Sequence, residues 1–85
     1  MLFRSPSPPG DTIRDIMTER GMSSYELAMR LGIYNYHVPM LLSGKFTISS
    51  DMAHRLADTL GSTPEFWEER ERQYRESLQK REQHD

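Results

Sequence analysis

Four glycines divide this 85-residue chain into short segments, and their placement limits what it can fold into. Gly21, Gly32, Gly44 and Gly61 each close a stretch with helical spacing. A glycine just beyond a helix adopts positive φ without steric cost. Helix-start signals precede the segments. Ser23-Ser-Tyr-Glu26 has the form of a capping box. Thr63-Pro64-Glu65 supplies a cap, a proline at the first helical position and an acid at the positive end of the dipole. Asp11-Thr12 and Ser49-Ser50-Asp51 serve the same purpose elsewhere. The expected elements are five helices over residues 10–20, 24–31, 34–43, 50–60 and 64–80, an all-α fold. No stretch alternates in the manner of a strand.

The buried faces follow from the spacing. Ile13, Ile16 and Met17 line the first helix, and Leu27, Ala28 and Leu31 the second. Val38, Leu41 and Leu42 line the third; Met52, Ala53, Leu56, Ala57 and Leu60 line the fourth. Pro39 would break a helix interior but is tolerated in a first turn. The third helix therefore either begins late, near Val38-Pro39, or is kinked. Residues 1–8, rich in proline, are expected to form a flexible arm. The fifth helix carries acid–base pairs four apart, Glu68–Arg72, Glu71–Arg75 and Glu76–Lys80, that suit a solvated surface. Its stripe of Phe66, Trp67, Tyr74 and Leu78 has two readings: docking of the helix base on the core, or a dimer or partner surface.

Composition narrows function. There is no cysteine, which excludes disulfides and thiol chemistry. His37, His54 and His84 stand apart, without the spacing of metal ligands. No glycine-rich phosphate loop is present, so neither an enzyme nor a cofactor is expected. No apolar run is long enough to span a membrane, and the reading is a cytoplasmic protein. The net charge of −2 is unevenly spread: residues 1–50 hold five basic and four acidic side chains, residues 51–85 six and nine. Any basic face is small, which disfavours tight non-specific nucleic-acid binding.

Ala28, Gly32, Ile33, Val38 and Leu41, together with the capping box, form the pattern of a helix-turn-helix. At these residues the chain resembles the Cro/C1-type (XRE) helix-turn-helix proteins, and within them the HigA-type antitoxins. The resemblance runs from Pro9 to Trp67. It is carried by Pro9-Gly-Asp-Thr-Ile-Arg14, Arg20-Gly-Met-Ser23, Glu26-Leu-Ala28, Leu31-Gly-Ile33, Leu42-Ser-Gly-Lys45, Arg55-Leu-Ala57 and Leu60-Gly-Ser-Thr-Pro-Glu-Phe-Trp67. It implies a five-helix lambda-repressor-like domain with an extended C-terminal helix. The implied division is a helix-turn-helix domain over 9–62 and a charged packing or dimerisation helix over 63–85.

The resemblance also implies a homodimeric autorepressor that binds a two-fold double-stranded DNA operator and neutralises a small toxin protein. The third helix would enter the major groove. The matching positions are Tyr34, Asn35, Tyr36, His37 and Met40, with Ser24 and Tyr25 toward phosphates and Lys45 as the nearby cation. Asn35 suits adenine, and an aromatic edge suits a thymine methyl. No Arg or Lys lies between Arg30 and Lys45, so few phosphate contacts are expected. Two other readings stand beside this one: a protein-interaction module with weak or lost DNA binding, and a stand-alone phage-type regulator.

Overall fold

The computed structural model describes residues 7–82 and contains five α-helices and no strand among them. They are α1 (Pro9–Arg20), α2 (Ser24–Leu31), α3 (Val38–Ser43), α4 (Ser50–Leu60) and α5 (Pro64–Glu82). A 3-10 turn, Asn35–His37, leads into α3. The third helix thus begins late, as one of the two readings of Pro39 required. The proline falls in its first turn, where the missing N–H is no loss. Residues 1–6 of the expected arm lie outside the described residues.

The caps explain most boundaries. Ser23 Oγ accepts from Glu26 N–H at 3.1 Å, Ser49 Oγ from Met52 N–H at 3.1 Å, and Thr63 Oγ1 from Phe66 N–H at 3.1 Å. Glu26 turns to Arg30, 2.9 Å away, rather than back to the cap, so only half of the capping box forms. The first helix departs from expectation. It starts at Pro9 without a side-chain cap, and Asp11 sits inside its first turn instead of before it. Because the Ser49 bond replaces water on a donor that α4 cannot satisfy itself, Ser49→Ala should cost about 1 kcal/mol. That is a fall in Tm of roughly 4–8 °C for a domain of this size, readable by circular dichroism.

One core joins all five helices. It contains Ile13 and Met17 of α1, Leu27, Ala28 and Leu31 of α2, Val38, Leu41 and Leu42 of α3, and Met52, Ala53, Leu56 and Leu60 of α4. Ile48, in the α3–α4 loop, and Trp67 complete it. Trp67 is wholly buried, and its indole Nε1–H donates to Gly61 O at 3.1 Å. This corrects the partner-surface reading for that residue: the base of α5 docks on the core. Tyr74 is half-buried against Gly44, and Leu78 is also half-buried, so the aromatic stripe is not one open face.

The arginines show what holds the helices in register. Arg20 donates to Leu60 O at 2.9 Å and Thr59 O at 3.3 Å, at the C-terminal end of α4. Arg55 donates to Leu31 O at 2.9 Å, at the end of α2. Arg75 donates to Gly44 O at 2.6 Å, at the end of α3, and is itself gripped by the buried Glu71 at 2.7 Å. Each supplies a donor and a positive charge where a helix leaves carbonyls unpaired and its dipole is negative. Arg70 binds the entry to α1 instead, through Ser7 O, Pro8 O and Thr12 Oγ1 at 3.0, 3.2 and 2.7 Å. The last two residues of the expected arm are therefore fastened to α5.

Candidate nucleic-acid interface

The turn between α2 and α3 is set by local backbone chemistry. Gly32 takes the left-handed conformation at φ 72°, and the amides of Gly32 and Ile33 both donate to Ala28 O, at 2.9 and 3.0 Å. This Schellman-type closure ends α2 and reverses the chain. Ile33 is then half-buried against the core, and Val38 is fully buried, which fixes the angle at which α3 leaves. The outward side of α3 and the turn before it remain exposed.

The expected contact residues fall into three places. Ser24 and Tyr25 are exposed at the N-terminus of α2. Tyr34, Asn35 and Tyr36 are exposed on the turn, and Met40 is exposed on α3. Lys45 is exposed just past the C-terminal end of α3. His37 differs from its neighbours. It is half-buried, edge-on to Tyr36 at a centroid distance of 4.4 Å and to Phe46 at 5.5 Å. It packs the turn onto the loop rather than standing free. The rings of Tyr34 and Tyr36 lie nearly parallel, 5.4 Å apart with an interplanar angle of 6°. The sequence reading missed two residues here. Phe46 is the support beneath His37, and Met29 is exposed on α2, legible only as an apolar residue off that helix's buried stripe.

The electrostatics are sparse. Arg20, which composition counts toward the slightly basic front half, is engaged at a helix end, as is Arg55, and Arg30 is paired with Glu26. On α5, Arg72 lies between Glu69 and Glu76 instead of pairing with Glu68, and it holds the Glu69 carboxyl below the usual carboxylate range. Phe66 is partly exposed at the start of α5, edge-on to Trp67 at 5.0 Å. No helix of the described residues is long and apolar enough to cross a membrane.

Comparison with known proteins agrees with this geometry. Residues 12–65 match the model of the Cro/C1-type HTH DNA-binding domain. The chain is 34% identical over 59 residues to YddM of Escherichia coli (strain K12), an uncharacterised HTH-type transcriptional regulator. That similarity takes in 69% of this chain and 63% of the regulator, so the chain spans less than two-thirds of its relative's length. An addiction module antidote protein of the HigA family from Coxiella burnetii has a similar structure, with a TM-score of 0.77 and 33% identity. The superposition covers 88% of this chain and 83% of that one. With the turn, the core and the match all centred on α2 and α3, the chain belongs to the Cro/C1-type helix-turn-helix DNA-binding domain family.

Proposed function

We propose that this protein is an antitoxin-like transcriptional autorepressor that reads a two-fold DNA operator as a homodimer and neutralises a small toxin protein. The observation that carries the DNA reading is the exposure of Tyr34, Asn35, Tyr36 and Met40 together on the helix-turn-helix, with Asn35 opening the 3-10 turn. In this reading Asn35, Tyr34, Tyr36 and Met40 meet base edges, while Ser24, Tyr25 and Lys45 approach phosphates. His37 positions the tyrosines. A dimer would place two such segments about 34 Å apart along the duplex. The likeness to an addiction module antidote supports the toxin partner. So does α5, whose Arg70 and Arg75 turn inward while Glu65 stays exposed and the exposed Glu69 and Glu76 share one Arg72, a net acidic surface suited to a basic protein.

Fluorescence anisotropy against labelled DNA from the gene's own upstream region tests the DNA reading, with scrambled duplex as control. The expected Kd is on the order of 10⁻⁸ M for the specific site. Asn35→Ala should weaken it by roughly tenfold or more, the worth of a bidentate adenine contact, with the helical circular dichroism unchanged. Because the interface has so few cations, log K should fall with log salt less steeply than the −5 to −9 or so of a protein with 6–10 phosphate contacts. Equal affinity for scrambled DNA would overturn the repressor reading. The alternative, an interaction module that has lost DNA binding, is favoured by one observation: Arg20, Arg55 and Arg75 all serve helix ends. The partner surface is tested by Glu69→Lys with Glu76→Lys, which should abolish capture of the toxin and leave DNA affinity within a few-fold.

A further inference from the structure

Six large apolar side chains are exposed among the described residues: Tyr25, Met29, Tyr34, Tyr36, Met40 and Phe66. Five of them stand on α2, α3 or the approach between them. Single exposed apolar residues are ordinary, but their concentration on one motif marks a binding surface. The two tyrosines are held as well as exposed. Each is 66% accessible, the rings stack on one another, and His37 braces both from below while resting on Phe46. A face fixed in advance loses little side-chain freedom when it meets a ligand.

The chemistry of this face is selective in what it omits. Guanine in the major groove is read above all by an Arg or Lys bidentate to O6 and N7, and residues 31–44 contain neither. Two base features suit this cation-free segment best. The Asn35 carboxamide complements N6 and N7 of adenine, and apolar surface complements the C5-methyl of thymine. Both belong to the A·T pair. We infer that the core of each half-site is A·T and that Tyr34, Tyr36 and Met40 bind thymine methyl groups, making them the specificity-determining residues. This rests on the DNA reading proposed above and adds the class of base and the atom recognised.

The test uses the full chain and a library of duplexes with a randomised centre. Selection should enrich sites whose half-site cores are A·T. Thymines of the selected duplex are then replaced one at a time by deoxyuridine, which removes the methyl and leaves every hydrogen-bonding group in place. The expected loss is about fourfold per contacted methyl, the equivalent of ~0.8 kcal/mol of apolar burial. Tyr36→Ala and Met40→Ala, both at exposed positions, should bind the thymine and deoxyuridine duplexes alike at the step each reads. A G·C core, or indifference of the wild type to deoxyuridine, overturns this inference and leaves DNA reading standing. No enrichment over the input library overturns both.

Discussion

Replacing Trp67 by alanine is expected to remove most of the stability of this protein. The side chain is the largest in the core, is fully buried, and lies where α5 meets the loop after α4. Deleting a buried aromatic costs about 3–5 kcal/mol, because the transfer free energy is lost and the cavity closes only in part. The Gly61 carbonyl also loses its indole donor, worth about 1 kcal/mol. A small domain has roughly 0.05–0.15 kcal/mol of stability per residue, so this one substitution can consume most of it. Thermal and urea denaturation followed by circular dichroism should show a transition lowered by tens of degrees, while Trp67→Phe keeps most of the volume and falls far less. Because Trp67 is the only tryptophan, its emission reports the same packing in the wild type: blue-shifted when folded and red-shifted through the transition. A Trp67→Ala variant melting within a few degrees of wild type would show that α5 does not depend on this anchor.

Gly10→Ala should also destabilise, although on helix propensity alone it would stabilise. Alanine for glycine inside a helix gains about 0.5–1 kcal/mol. At this position, however, the added methyl carbon would lie 2.0 Å from the Leu42 carbonyl oxygen and 2.5 Å from Leu42 Cα. Those atoms are backbone and cannot swing aside, so α1 and α3 must move apart. Overpacking of this kind costs about 1–3 kcal/mol and at times more, which outweighs the propensity gain. Gly21→Ala provides the contrast. A methyl there meets nothing within 4 Å, and only the left-handed φ of 65° penalises it, by about 1 kcal/mol. Comparing the two by denaturant midpoint separates steric from conformational cost. Gly10→Ala should also weaken DNA binding, since Leu42 belongs to the helix that carries the reading face; Gly21→Ala should not.

The contrast extends to what could be read from the chain. The boundaries of α2 and α4 match the sequence expectation residue for residue, 24–31 and 50–60, because Ser23, Ser49, Gly32 and Gly61 act on amides and carbonyls within a few positions of themselves. The apolar stripes of α1 to α4 were legible for the same reason, since period and rotamer direction are properties of the helix itself. Pro39 narrowed the start of α3 to two possibilities. Choosing the late start required the 3-10 turn, which depends on how Val38 and the turn aromatics pack.

The Glu71–Arg75 pair, four residues apart, formed as its spacing suggested, but the other arginine partners were not legible. A long side chain ending in a planar fork can pair with an acid four residues away or with a carbonyl forty residues away, and sequence spacing advertises only the first. Spacing also could not choose among the acids on either side of Arg72, which took Glu69 and Glu76 over Glu68, and Arg20 crossed to the end of α4. Of the two readings of Trp67 the fold took the core, and Gly10, at the start of α1, proved also to be a point of backbone contact with α3. The sequence by itself determined where the helices run, which faces they bury and which motif they build, because those are set by hydrogen bonds and spacing local to each segment. The tertiary structure alone decided which charges remain for a ligand and which aromatic rings remain exposed. Those outcomes depend on distances between residues that only folding brings together.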